Sequence, residues 1–519
     1  MKPYTSVACL LASSVTALVL PYSTPNCSTF GSSASLRQYN ATFLNATHYG
    51  PRGVNASGLL NTVSFCEVYA SVAYGPYGND SLVFAVWLPE YVQYENRFMA
   101  VGNGGMAGTI DYLNMITQLN SGLGFAVAGG NGGHLASANN GGGGAPGVYI
   151  PYLHDQAQVT AWIHDAISLF TPAAKALVNS YYGQNARYAY YDGCSTGGAQ
   201  GFALAQYHPD LFDGIVASSP GNWYSHLALS FLWNAQQTNT SATNLTQPIL
   251  NFTKQAVLNA CDTLDGVQDQ LLEDPLSCKF DINSLACNGS VPAASSSGVI
   301  NCLTSTQLSA VKAIYAGPVR SDNGSQLYPG FSFGSENEWL YQEGLLSNAF
   351  SVPILQNLVF NNLQYNSNTF NWASDVGLLD ARAGTLIDEI SLNLTAFRSH
   401  GKMLTTQGWA DQYNAATWPI EHLEQLETFF GGDVSDFYEL FMVPGGGHCG
   451  GAADYASVPA TYHTVPALVA WVERGFKPFS LLSTNPPDGS NRTRKLCAWP
   501  STARYVQGNV SDWTSYVCE

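Results

Sequence analysis

The run YAYYDGCSTGGAQGF, residues 188–202, constrains the fold more than any other part of this chain. A strand-like apolar segment ends at a glycine, a serine follows two residues later, and small residues open a helix-like run. Gly193-Cys194-Ser195-Thr196-Gly197 fits the G-x-S-x-G pattern, in which glycines make room for a sharp turn that projects the serine hydroxyl. A strand that feeds a helix directly calls for a crossover and a parallel sheet. The neighbouring segments repeat the design. DSLVFAVWLPE reads as a strand, and NRFMAVGNGGMAG and GFAVAGGNGGH are apolar strands opening into glycine loops. TPAAKALVNSYYG is expected to be a helix with Thr171 as its cap and Pro172 in its first turn. DGIVASSPG is a further buried strand. The pattern lapses over residues 229–395 and resumes at GKMLTTQGWADQ and FYELFMVPGGGHC. We expect an inserted lid domain over 229–395, between catalytic-domain segments 21–228 and 396–519.

A serine in such a turn needs a base, and the base needs an orienting carboxylate. Asp411 follows one late strand in GWADQYN, and His448 follows the next in GGGHCG. The chain order Ser, Asp, His on loops after successive strands is that of an α/β-hydrolase fold, so Ser195, Asp411 and His448 are the expected triad. Cys194 precedes the serine and Cys449 follows the histidine. A disulfide between them would consume a reactive thiol and bind the nucleophile loop to the base loop. The oxyanion donors are expected from the N–H of Thr196 and from Gly104 or Gly105 in GNGGMAG.

The amino terminus, MKPYTSVACLLASSVTALVLPYSTPNC, reads as a secretory signal peptide over residues 1–20. Its removal takes away Cys9 and leaves ten cysteines, an even number suited to five disulfides in an oxidising compartment. Sequons at Asn40, Asn45, Asn55, Asn79, Asn244, Asn251, Asn323, Asn393 and Asn509 agree with a secreted glycoprotein. No later apolar run is long enough to span a bilayer, so no membrane partner is expected. A net charge of −17 argues against a nucleic-acid partner.

Residues 261–278, CDTLDGVQDQLLEDPLSC, are acidic and bracketed by cysteines. Asp262, Asp265 and Asp269 could offer oxygens to one hard cation, completed by the carbonyls of Val267 and Leu271. The spacing is equally that of a solvated acidic loop.

GCSTGG, GNGGMAG, NGGH, ACDTLDGVQD, GWAD, GHCG and the closing LCAWP…ARYVQGN together resemble the fungal tannase and feruloyl esterase family, with feruloyl esterase B as the nearest type. The resemblance runs from about residue 60 to the end. It implies the Ser195–Asp411–His448 triad, the Cys194–Cys449 disulfide, and a structural Ca2+ held by Asp262, Asp265, Val267, Asp269 and Leu271. Cys261–Cys278 would then staple the calcium loop, and the remaining cysteines pair most simply as Cys27–Cys66, Cys287–Cys302 and Cys497–Cys518. The expected function is that of a secreted serine carboxylesterase acting on hydroxycinnamate (feruloyl, coumaroyl or caffeoyl) esters. The substrate would be a small aryl ester or a feruloylated plant-wall polysaccharide. A tannase acting on gallate esters is the alternative. Readings of other classes are a non-catalytic, calcium-stabilised glycan-binding protein and a serine peptidase. His134 reads as structural, and Phe331, Phe333 and Trp339 as lid core or an aryl pocket.

Overall fold

The computed structural model describes residues 25–30, 34–138, 144–289 and 298–519. The expected signal peptide lies outside them. Nine strands form one mixed sheet. In chain order they are β1 (Ala41–Tyr49), β4 (Phe65–Tyr74), β5 (Asp80–Pro89), β6 (Arg97–Val101), β7 (Phe125–Gly130), β8 (Tyr188–Cys194), β9 (Gly214–Ser218), β10 (Lys402–Gly408) and β11 (Tyr438–Val443); a small hairpin, β2 (Asn55–Ala56) with β3 (Leu59–Leu60), lies between the first two. The order across the sheet is β1-β4-β5-β7-β6-β8-β9-β10-β11. From β7 to β11 all neighbours are parallel, as the strand-turn-helix rhythm requires. The first three strands are antiparallel and extend the sheet at one edge. That edge differs from the expected parallel order because no crossover helix joins these strands: the β2–β3 hairpin links β1 to β4, and a short turn links β4 to β5.

The strands read as continuous apolar runs because both sheet faces are covered. Alternate residues serve opposite cores. Tyr191, Ile215, Met403 and Leu440 join one cluster, with Leu177 and Val178 of the helix Thr171–Tyr182 and Phe202 of the helix Thr196–Tyr207. Tyr190, Val216, Leu404 and Phe441 join the other, with Met115, Ile116 and Leu119 of the helix Tyr112–Asn120 and Leu468 of the helix Thr464–Arg474. Thr171 is not the cap expected of it. It lies inside the helix, Phe170 occupies the cap position, and the Thr171 hydroxyl donates to the Ile167 carbonyl at 2.7 Å.

Between β9 and β10 the chain leaves the sheet, and this excursion contains the expected 229–395 segment. Its first helix, Tyr224–Thr238, passes through residue 229, so the excursion has no break there. Among the described residues no helix is long and apolar enough to cross a membrane.

Candidate active site

Ser195 sits at the end of β8 with φ 63° and ψ −120°, a conformation an L-residue adopts only under constraint. The constraints are visible. Ser195 N–H donates to the Ser218 carbonyl at 3.0 Å, and the Ser195 carbonyl accepts from Gly221 at 3.1 Å and Ala199 at 3.1 Å. A Cβ on Gly193 would lie 2.3 Å from the Tyr191 hydroxyl and 2.6 Å from the Gly197 carbonyl, so the turn closes only with glycine there.

His448 and Asp411 come to this turn from the ends of β11 and β10. The His448 Nδ1 donates to Asp411, 3.0 Å from Oδ1 and 2.9 Å from Oδ2. Asp411 is buried and accepts three further bonds, from Gln407 Nε2 (2.9 Å) and the N–H groups of Tyr413 (2.8 Å) and Asn414 (2.9 Å). Burial alone would raise this carboxyl; the facing His448 and these donors outweigh it and hold the pKa below the ordinary aspartate value. With Nδ1 committed, His448 Nε2 has no hydrogen-bond partner among the described residues. The histidine's position is set by its neighbours: His448 N–H donates to Gln412 Oε1 at 3.0 Å, Cys449 N–H donates to Ser219 Oγ at 3.2 Å, and the Tyr413 ring stacks on the imidazole at 4.4 Å. Cys194 and Cys449 are bonded, with Cα atoms 5.8 Å apart across 255 residues of sequence.

Ser195, Gly104, Gly105, Tyr413, His448 and Phe350 line one cavity of about 580 Å³. Thr196 opens the helix Thr196–Tyr207, where its N–H has no intrahelical acceptor. The N–H groups of Gly104 and Gly105 also have no acceptor among the described residues. The site therefore gathers a half-buried turn hydroxyl, an oriented imidazole with a free nitrogen, and unpaired backbone donors. Such a set can carry out acyl transfer through a tetrahedral oxyanion.

Comparison with known proteins agrees with that chemistry. The family model for "Tannase and feruloyl esterase" matches residues 66–519. The chain belongs to the tannase and feruloyl esterase family. A probable feruloyl esterase B-2 of Aspergillus terreus is 28% identical over 496 residues, covering 90% of this chain and 88% of that protein. An uncharacterised esterase of Xanthomonas campestris is 29% identical over 506 residues, covering 88% and 84%. The crystal structure of feruloyl esterase B from Aspergillus oryzae superposes with a TM-score of 0.79 at 25% identity, covering 92% of this chain and 97% of that one. Like the family, the protein is a carboxylic ester hydrolase of α/β-hydrolase fold.

The other family motifs are placed as follows. Beyond Cys194–Cys449, the cysteines pair as Cys27–Cys66, Cys261–Cys278, Cys287–Cys302 and Cys497–Cys518. In the acidic loop, Asp262 accepts from the N–H groups of Asp269 (3.2 Å), Gln270 (3.1 Å) and Leu271 (3.2 Å). Two arginines that sequence reading passed over enter here. Arg494 is buried and contacts Asp265 (3.1 Å), Asp269 and Glu273 (2.8 Å), and Arg492 reaches Asp269 at 2.5 Å. No group of three or more His, Cys, Asp or Glu side chains among the described residues is gathered closely enough to hold a metal by side chains alone. The donors nevertheless fit a hard cation completed by backbone oxygen. Asp269 Oδ1 is buried without a partner, and the carbonyls of Val267 and Leu271 accept no hydrogen bond among the described residues. Four carboxylates against two guanidiniums leave two negative charges, the charge of one divalent cation.

His134 bonds the Met106 carbonyl at 2.7 Å and stacks on Tyr152 at 3.9 Å; burial pushes its pKa down to about 4. It is neutral and structural, beneath the glycine loop. Trp339 is core, and Phe331 and Phe333 line a separate hollow with Pro275 and Tyr315. The aromatic residues that do line the Ser195 cavity are Phe350 and Tyr413, with Tyr462. Phe350 carried no signal, because its distance from the site closes only through the excursion's packing.

Proposed function

We propose that this protein is a secreted serine esterase that releases hydroxycinnamic acids from plant-wall glycans, with Ser195, His448 and Asp411 as its triad. The observation that carries the reading is the His448 imidazole: Nδ1 is clamped by a buried Asp411 while Nε2 stays unpartnered, and His448 lines the same cavity as Ser195. In that tautomer Nε2 takes the Ser195 proton as Oγ forms its bond to the ester carbonyl carbon. The N–H of Thr196 and an N–H of the Gly104–Gly105 loop receive the carbonyl oxygen as it becomes an oxyanion. Collapse breaks the bond to the alcohol oxygen, which leaves with the proton from His448. Water then attacks the acyl-enzyme through the same base, and the carboxylic acid departs. Asp411 keeps the imidazole oriented and offsets its positive charge.

The choice of acid rests on two supports. Several of the similar proteins are named feruloyl esterases B. The cavity also offers Phe350 and Tyr413 against which an aryl ring can stack. The acidic loop is proposed to hold a structural Ca2+ through Asp262, Asp265, Asp269 and the carbonyls of Val267 and Leu271; it takes no part in the chemistry. The test is parallel hydrolysis of methyl ferulate, methyl caffeate and methyl gallate, with Ser195→Ala as control. We expect Ser195-dependent turnover with the cinnamates preferred. A preference for gallate would overturn the choice of acid, and no Ser195-dependent turnover would overturn the esterase assignment.

A further inference from the structure

We infer that the Thr196 side chain and Trp162 are positioning residues that set the oxyanion donors, and that Tyr224 couples them to the inserted excursion. The inference rests on the esterase reading above. The Gly105 carbonyl accepts two hydrogen bonds, from Thr196 Oγ1 at 2.9 Å and from Trp162 Nε1 at 3.1 Å. Both lone pairs of that oxygen are used, so the peptide after Gly105 cannot rotate without losing one of these bonds. The peptide before it is fixed as well, because the Gly104 carbonyl accepts from Ala107 N–H at 3.0 Å. In a trans peptide the Gly105 N–H must then point away from that carbonyl, and it has no acceptor among the described residues. Gly105 stands at φ 55°, a conformation that leaves the loop dependent on such ties.

Thr196 thus serves the oxyanion twice: its N–H is one donor, and its hydroxyl holds the loop that supplies the other. The Tyr224 ring meets Trp162 edge-on at 4.9 Å. Thr196, Trp162 and Tyr224 are all buried, so water cannot replace a lost partner. Tyr224 is the first residue of the excursion's leading helix, Tyr224–Thr238. From the same helix Phe231 packs against Phe350 at 5.9 Å, and Phe350 covers Gly105, 3.8 Å from where its Cβ would stand. The excursion therefore reaches the oxyanion loop from two sides, by the Tyr224 ring against Trp162 and by the Phe350 ring. Its seating and the alignment of the donors are one packing unit.

The test compares Thr196→Val, which keeps the backbone N–H and the side-chain shape but loses the hydroxyl, with Thr196→Ser, which keeps the hydroxyl. For each, kcat and KM are measured on methyl ferulate and on p-nitrophenyl acetate. The Ki of an aryl trifluoromethyl ketone, which forms an oxyanion on Ser195, and the Tm are measured alongside. Misaligning one donor should lower kcat about 10- to 100-fold and raise that Ki by the same factor, with KM within about twofold. Thr196→Ser should stay within about threefold of wild type. Trp162→Phe, which keeps an aromatic ring but removes the indole N–H, should reproduce the kcat and Ki changes if Thr196→Val does not fold. Unchanged kcat and Ki in a folded Thr196→Val protein would overturn this inference alone. Absence of Ser195-dependent turnover in the wild type would overturn the esterase reading and this inference with it.

Discussion

Replacing Asp411 by asparagine tests the triad at its most buried member. The aspartate has two acceptor oxygens and no donor: Oδ1 takes the N–H groups of Tyr413 and Asn414, Oδ2 takes Gln407 Nε2, and His448 Nδ1 lies within 3.0 Å of both. Asparagine keeps one oxygen. Placed at Oδ1 it preserves both backbone bonds and turns its NH2 toward His448 and Gln407; the opposite flip would set two N–H groups against NH2. Gln407 can accept from the asparagine NH2 through its unpartnered Oε1 after an amide flip, at the cost of the bond its Nε2 donates to the Gly408 carbonyl at 3.1 Å. The imidazole can only accept at Nδ1, which puts its proton on Nε2 and removes the base that faces the cavity. The change is nearly isosteric, so the fold should persist. Loss of the correct tautomer is worth about 10⁴ in kcat in a triad of this geometry, or about 5 kcal/mol of transition-state stabilisation. KM should move by less than about threefold, because no substrate contact is altered. The assay is steady-state hydrolysis of methyl ferulate at pH 7, with a thermal melt on the same sample. A folded Asp411→Asn protein within tenfold of wild-type kcat would refute the orienting role.

Other perturbations follow from the same geometry. Replacing Cys194 and Cys449 together by alanine removes a cross-link over 255 residues, for which chain entropy sets a ceiling of about 5–6 kcal/mol. We expect a lower Tm and a kcat loss above tenfold with KM little changed; kcat within twofold of wild type would show that the disulfide does not position the triad. Treatment with EDTA should lower the Tm by several degrees, reversibly with Ca2+, while kcat measured well below the melt is unchanged. Metal analysis finding no calcium, with a Tm indifferent to EDTA, would contradict the proposed loop site. Glu389 is buried against His164 at 2.8 Å, and burial pushes its carboxyl up to about 7 despite that partner. The folded state then binds the proton more tightly than the unfolded chain. Its contribution to stability is full below the ordinary glutamate pKa and is lost as pH rises toward 7. The Tm should fall between pH 5 and 8, and Glu389→Gln should flatten that slope; an unchanged slope would refute the assignment.

What the sequence made legible was local. Ser195 could be placed because a strand, a glycine turn and a helix are contiguous there, and Asp411 and His448 because each follows its own apolar strand. Partners brought in by side-chain packing were not legible. Gln407 is a strand residue whose amide faces Asp411, and Tyr413 stacks on His448 from a loop whose spacing carries no periodic signal. Arg494 is separated from Asp269 by 225 residues, so nothing in the acidic loop itself announces the guanidinium that bridges it. The antiparallel strands β1 and β4 were missed for another reason. The edge strand β1 mixes polar and apolar residues and is half open to solvent along its length, and the buried run of β4 is interrupted by Glu67 and Ser71.

The central claim is that Ser195 is the nucleophile. The most direct measurement is intact and peptide mass spectrometry after reaction with a fluorophosphonate, which marks a serine that an adjacent base has activated. The account predicts one adduct per chain, on the peptide bearing Ser195, and none on a Ser195→Ala protein that melts at the wild-type temperature. An adduct on another residue, or one that persists in Ser195→Ala, would contradict it.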